Sequence, residues 1–364
     1  MSGRKRRKVA GVAIAPGETR EIYLEVSQSY TGNPVRIPVH VEAGKKSGPT
    51  VLVTAAIHGD ELNGMGIIHE ILFRGPLGVR RGTVVLVPVV NVFGFETQDR
   101  YMPDRRDLNR MFPGRENGSL AARVAYEFFE QVVRSADWLV DLHTGASGRT
   151  NFPNVRARLR DPGVKQLADA FGAELVVDSD GPDGSLRREA ARAGVPAIIL
   201  EAGEPGKIEP TVTEVGVRGV MNVLRTLGMV DGAPVSPRFQ VRVRKSTWVR
   251  AQVGGILRFH VSPGEPVDEG QPIATNVSLF AREQNVLVSP AAGLVLGMTT
   301  LPTVKPGEPV CHVAIPSTLP KTLREILAGK RAGGLAGRVR QDFARAVSVT
   351  EREEVLPPAA SEED

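Results

Sequence analysis

The sequence predicts an α/β protein in which a mostly parallel sheet with flanking helices is followed by a small all-β unit. Three observations carry this expectation. Short continuous apolar runs of strand length recur between residues 51 and 200, each closing on a polar residue. Segments with helical periodicity lie between them, and past about residue 235 that periodicity gives way to β-like runs broken by Gly and Pro.

Residues 51–57, Val-Leu-Val-Thr-Ala-Ala-Ile, suit a strand buried on both faces and end in His58-Gly59-Asp60-Glu61. A helical pattern follows over 63–73. The second run, 83–90, closes on Asn91-Val92-Phe93-Gly94, and a helical pattern covers 120–134. The third, 138–142, closes on His143-Thr144-Gly145, with a helical pattern at 161–171 after it. The fourth, 197–200, closes on Glu201-Ala202-Gly203. In open α/β sheets the carboxyl ends of strands are where sites assemble, so these closing residues draw attention.

Beyond Asp231-Gly232-Ala233-Pro234 the chain repeats itself. Gly255-Ile256-Leu257 followed by Pro263-Gly264-Glu265-Pro266-Val267 recurs as Gly293-Leu294-Val295 followed by Pro306-Gly307-Glu308-Pro309-Val310, the second turn starting 43 residues after the first. Two similar β units packed as a small sandwich are expected. The division is a domain over 1–235 with a basic arm at 1–9, a β appendage over 236–316, and a charge-mixed, partly helical or disordered tail over 317–364.

The 364 residues are 41% apolar and 24% charged, the usage of a globular chain with a sizeable core. No apolar stretch of membrane-spanning length occurs and residues 1–8 lack an apolar leader segment, so a cytoplasmic protein is expected. The net charge is +5, and Arg4, Lys5, Arg6, Arg7 and Lys8 alone supply five positive charges. The body is balanced, which makes nucleic acid an unexpected partner. Cys311 is the single cysteine, so a metal would have to be held by His and carboxylate.

His58 and Glu61 form an H-x-x-E pair directly after a strand, and His143 follows another. Two imidazoles and one carboxylate are the donor set of a catalytic zinc site, which keeps a fourth position open. Asp141 points the same way as His143 on the strand and is a candidate acceptor for its second ring nitrogen. A metal hydrolase also needs a base. Glu201 ends the fourth strand at the same sheet edge and is the choice, with Glu204, further from the strand, as its rival. The loop from Asp99 to Gly114 carries Arg100, Arg105, Arg106 and Arg110, and arginine forks suit carboxylates and oxyanions; Arg105 and Arg106 read as surface partners of nearby aspartates.

The ordered set His58-Gly59-Asp60-Glu61, Asn91 with Gly94-Phe95, Arg100-Tyr101, Asp107-Leu108-Asn109-Arg110, Asp141-Leu142-His143-Thr144-Gly145 and Glu201-Ala202-Gly203 resembles the succinylglutamate desuccinylase/aspartoacylase family, a branch of the zinc carboxypeptidase-like hydrolases. The resemblance implies one zinc ion per chain on His58, Glu61 and His143, with Glu201 as general base. It further implies Arg100 as the group that polarises the scissile carbonyl, and Asn109 with Arg110 as the pair that holds a substrate carboxylate. The activity implied is hydrolysis of an N-acyl amide of a small amino-acid-like substrate. The four tyrosines are Tyr23, Tyr30, Tyr101 and Tyr126, so the substrate-binding tyrosine that carboxypeptidases and aspartoacylase place after the base has no counterpart here.

Residues 238–316 resemble the barrel-sandwich appendage of deacylases in this family and, with it, lipoyl and biotinyl carrier domains. Where a carrier has its lysine this chain has Arg282, which argues against a swinging arm. His260 and His312 read as packing or surface residues of the appendage, and His40 and His69 lack an acidic partner at ligand spacing. A metallocarboxypeptidase acting on peptides and a non-catalytic binding protein on the same fold are the competing readings. A homo-oligomer stays open.

Overall fold

The computed structural model describes residues 7–237, 239–282, 284–317 and 334–344. Within the first 235 residues the strands are β1 (Arg7–Val9), β2 (Val12–Ile14), β3 (Thr19–Gln28), β4 (Pro34–Ala43), β5 (Lys46–Ala55), β6 (Arg81–Val87), β7 (Trp138–His143), β8 (Arg149–Ala157), β9 (Leu175–Asp178) and β10 (Ala197–Gly203). The helices are α1 (Leu62–Phe73), α2 (Val92–Thr97), α3 (Leu120–Gln131), α4 (Pro162–Phe171), α5 (Leu186–Arg192) and α6 (Pro210–Thr226). The four buried runs are therefore β5, β6, β7 and β10. The helical patterns are α1, α3, which gives way to a short 3₁₀ turn at Val133–Ser135, and α4.

The α/β expectation is borne out. Strands β6, β5, β7 and β10 lie side by side and parallel, the arrangement that near-continuous Val/Ile/Leu runs demand because both faces are covered. Antiparallel neighbours make the sheet mixed: β4 and then β3 on the β6 side, and β8 on the β10 side. One face packs on α1, α4 and α6 through Ile67, Ile68, Leu167, Phe171, Val220 and Val223. The other packs on α3 and α5 through Val124, Phe128, Phe129, Leu186 and Ala190.

Local sequence explains where the helices begin and end. Asp161 caps α4 by accepting from Gly163 N and Val164 N, Pro162 supplies the first helical residue, and Gly172 closes it at φ 74°. Ser119 caps α3 by accepting from Ala122 N. Strand β3 alternates, with Ile22, Leu24 and Val26 buried and Glu21, Tyr23 and Glu25 exposed.

The C-terminal strands are β11 (Val241–Val243), β12 (Lys245–Arg250), β13 (Gly255–Phe259), β14 (Pro266–Val267), β15 (Pro272–Val277), β16 (Gln284–Val288), β17 (Gly293–Thr299), β18 (Thr303–Val304) and β19 (Pro309–Ile315). A four-stranded sheet, β16-β15-β13-β18, faces β17 and β19 across Leu257, Ile273, Leu287, Val295, Met298, Val310 and Val313. Both Pro-Gly-Glu-Pro-Val turns have their glycine at φ 85°, Gly264 and Gly307. The appendage also joins the main sheet. Strand β17 pairs antiparallel with β8, β19 and β12 extend the sheet beyond it, and β11 pairs parallel with β9. A last helix, α7 (Leu335–Ala344), buries Leu335 and Val339, and Arg338 pairs with Glu214 of α6. Most of the expected tail, and residues 1–6 of the basic arm, lie outside the described residues.

Candidate active site

Strand β5 stops at Ala55, and Ala56 turns the chain with φ 48°, a left-handed conformation uncommon for a residue with a side chain. His58 follows at once. Gly59 then passes so close to α2 that a Cβ on it would lie 1.9 Å from the Gly94 carbonyl carbon, whereas a Cβ on Gly94 would meet the Asn91 amide and the Asp99 carbonyl, each at 2.6 Å. Asn91 caps α2 by accepting from Gly94 N at 2.9 Å. Its amide nitrogen donates to the Arg100 carbonyl at 3.5 Å, tying the arginine loop to the end of β6.

His58, Glu61 and His143 come together with their donor atoms all within 4.8 Å of one another, and each is at least 96% buried. His143 Nδ1 lies 2.8 Å from Glu61 Oε2. His58 Nδ1 lies 2.6 Å from Glu61 Oε1, yet out of hydrogen-bonding direction, so among the described residues this buried nitrogen has no hydrogen-bond partner. A buried ring nitrogen left so is costly unless something else binds it. The far nitrogens are held by carboxylates: His58 Nε2 meets Asp107 Oδ1 at 3.1 Å and His143 Nε2 meets Asp141 Oδ2 at 2.9 Å. Thr54 Oγ1 in turn donates to Asp141 Oδ1 at 2.7 Å. Carboxylate-backed imidazoles converging with a third carboxylate fit a divalent metal such as zinc.

The electrostatics agree. Burial would lower the His143 pKa, but Asp141 and Glu61 raise it well above its ordinary value. Burial would raise the Glu61 carboxyl, and the two imidazoles instead hold it well below. Burial pushes Asp107 up as well, but His58, Arg100 and Arg110 bring it down to about 2. Each shift runs in the direction that favours attraction between carboxylate and imidazole within the cluster.

Arg100 donates to Glu61 Oε1 at 2.9 Å and to Asp107 Oδ2 at 3.5 Å, so it sits beside the cluster. Asn109 is buried and its side-chain oxygen accepts from Leu186 N at 2.8 Å, which leaves its amide nitrogen as the end with donors to offer. Arg110 donates to the Asn109 carbonyl at 2.7 Å and keeps 43% of its side chain exposed.

Glu201 is the direct register partner of His143 across the parallel β10–β7 pair, so both side chains leave the same face of the sheet. Its Oε2 accepts from Asn151 Nδ2 at 3.0 Å, and its Oε1 lies 3.7 Å from Arg156 Nε. Glu204 is spent otherwise, accepting from Thr300 Oγ1 and pairing with Lys207, each at 2.6 Å.

Several residues around Glu201 escape the sequence reading. Arg187, 4% exposed at the start of α5, donates to the Ser179 carbonyl at 2.9 Å, and burial with the neighbouring Arg156 charge pulls its pKa down to about 10. The Nε atoms of Arg156 and Arg187 are both buried without a hydrogen-bond partner among the described residues. From the appendage, Trp248 stacks on His312 at 4.4 Å between ring centroids, and Arg149 lies 5.2 Å from the Trp248 centroid. Of these, Arg149 and Arg156 lie on β8, which is buried along most of its length and so offers no two-residue alternation to announce it.

The fold and this cluster together define a hydrolase-like α/β architecture with a buried His-Glu-His centre at the carboxyl ends of parallel strands. The chain belongs to the succinylglutamate desuccinylase/aspartoacylase family: the family's catalytic-domain profile matches residues 47–227. It is 31% identical over 252 residues to an N-alpha-acetyl-L-2,4-diaminobutyric acid deacetylase of Halomonas elongata, covering 66% of this chain and 73% of the relative. With a succinylglutamate desuccinylase of Burkholderia lata it shares 27% identity over 193 residues, 46% of this chain and 52% of that one. A solved succinylglutamate desuccinylase/aspartoacylase from Rhodobacter sphaeroides superposes with a TM-score of 0.74 at 26% identity, over 83% of this chain and 96% of its own.

Proposed function

We propose that this chain is a cytoplasmic zinc-dependent hydrolase that cleaves the N-acyl amide bond of a small, carboxylate-bearing, amino-acid-like substrate. The observation that carries the reading is the convergence of His58, Glu61 and His143 on one point with Glu201 in register beside His143. The deacetylase and desuccinylase named above support the reaction class.

His58, Glu61 and His143 would hold the ion, Asp107 and Asp141 fixing the two imidazoles from behind. When bound, zinc supplies a Lewis acid that brings the pKa of water to about 7. Arg110, with the Asn109 amide, takes the substrate carboxylate and so fixes which amide carbonyl reaches the centre. Arg100 offers donors to the carbonyl oxygen as it gains negative charge, an interaction stronger in the transition state than in the substrate. Glu201 accepts the proton of the attacking water and returns it to the departing nitrogen as the C–N bond breaks, releasing a free amine and a carboxylic acid.

The test is a hydrolysis screen of acetyl, succinyl and aspartyl amides with zinc-loaded protein. Turnover of at least one small amide, abolished by a chelator and restored by zinc, is the expected result. Release of C-terminal residues from peptides with no turnover of small amides would overturn it in favour of a carboxypeptidase.

A further inference from the structure

Strand pairing carries one row of residues across the junction between the appendage and the main sheet. Trp248 pairs with His312, His312 with Gly297, Gly297 with Asn151, and Asn151 with Gly203 of β10. Asn151 therefore stands between two glycines, one on each neighbouring strand. It is buried at 8% exposure, although a carboxamide costs free energy to bury unless its ends are matched.

Its two ends are matched differently. The Glu201 carboxylate can only accept, so the end facing it at 3.0 Å must be the NH₂ group. The side-chain oxygen then lies over Gly297, where a Cβ would come within 2.4 Å of it and within 2.8 Å of the Thr150 carbonyl oxygen. Backbone strain does not call for glycine here, because Gly297 is not in the left-handed region. What calls for it is the Asn151 side chain, nearest of all, together with the Thr150 carbonyl. Among the described residues no other group donates a hydrogen bond to Glu201 Oε2, and Oε1 accepts none.

We propose that Asn151 is a positioning residue that fixes the Glu201 carboxylate, and that the bare backbone of Gly297 makes the room it needs, so that a strand of the C-terminal β unit sets the geometry of the base. This rests on the reading of Glu201 as the base. One carboxylate oxygen is tethered, and the other, 3.7 Å from Arg156 Nε, accepts no hydrogen bond among the described residues and is left to take a proton. The rotamer of Glu201 is thereby held from outside its own strand, the kind of support without which a site loosens by about an ångström, enough to cost about 100-fold.

The experiment uses the full-length, zinc-loaded protein and its best small amide. Asn151→Asp keeps the shape but loses the donor, and Asn151→Ala loses both. Each should lower kcat about 10- to 100-fold with KM within about twofold and bound zinc unchanged. Gly297→Ala should lower kcat similarly in the wild-type background and by a smaller factor once Asn151 is alanine, because the collision with the carboxamide is then gone while that with the Thr150 carbonyl remains. Full kcat in Asn151→Asp, loss of zinc from the Asn151 variants, or equal effects of Gly297→Ala in both backgrounds would each overturn the proposal. Glu201→Gln serves as the reference. If it retains turnover, the base assignment itself fails; if it is inactive while the Asn151 variants are not, only the positioning role fails.

Discussion

Glu201 and His143 sit directly opposite each other on adjacent parallel strands, although 58 residues separate them in the chain. Parallel neighbours about 4.8 Å apart project their side chains alike, so a strand-borne carboxylate is delivered beside a strand-borne imidazole with almost no loop freedom to absorb. That rigidity makes the roles proposed for the two residues separable by mutation.

Purified protein is expected to carry about one zinc per chain, and His143→Ala to lose it while remaining folded. Asp141→Ala, which removes the acceptor behind His143, should weaken metal affinity by about 10- to 100-fold. Elemental analysis with circular dichroism checks both. Equal zinc in His143→Ala would remove that residue from the ligand set.

Glu201→Gln should retain zinc and KM but lose kcat by about 100-fold or more, as expected for a positioned base. Glu204→Gln should be far milder, since Glu204 is occupied by Lys207 and by Thr300 of the appendage. Steady-state kinetics on the two variants decide the matter, and the reverse ranking would exchange the assignments.

Arg110→Ala should raise KM for a carboxylate substrate about 10- to 100-fold more than for its neutral amide analogue, because a charge-assisted hydrogen bond contributes about 1.5–3 kcal/mol. Inhibition constants for the matched acid and amide give the same comparison without turnover. Identical effects on both would place the carboxylate elsewhere, with Arg156 and Arg187 the next groups to test.

His312 gives a pH signature independent of catalysis. Burial, reinforced by Arg156 and Arg149, brings its pKa down to about 4. The unfolded chain therefore binds a proton that the folded one refuses, so stability present above about pH 6.5 is lost as pH falls from there to about 4. The loss levels off below that, at up to about 3 kcal/mol for one such group. His312→Phe keeps a ring against Trp248 but cannot titrate. Its midpoint in urea should vary less between pH 4 and 6.5 than that of the wild type, and parallel curves would show that His312 is not the group responsible.

The parts legible in the sequence were those in which one residue type answers to one physical demand. Buried runs at β5, β6, β7 and β10 announced parallel strands, and the polar residues at three of their ends proved to be neighbours: His58 and Glu61, His143, and Glu201. The role of Asp107 was hidden because its partner His58 lies 49 residues away and a capping aspartate is locally sufficient to explain it. Strand β8 was hidden by Pro153 and by an irregular register opposite Glu201 and Gly203, which break the two-residue period. Helix α6 begins at Pro210 and buries Val212, Val215, Val220 and Val223 at helical spacing, a pattern legible in the sequence. Pairing of β17 with β8 joins segments about 150 residues apart, and no local pattern specifies such a partner.

That distant pairing also sets a timetable. Every residue proposed for the chemistry precedes residue 205, so a growing chain has synthesised all of them long before β17, at Gly293–Thr299, has left the ribosome. Until then the outer backbone of β8 near Asn151 lacks this neighbour and presents open hydrogen-bonding groups to other nascent chains. Closing a loop of this length is intrinsically slow, so the groups proposed for the chemistry are complete in the chain before the strand proposed to frame them can pair.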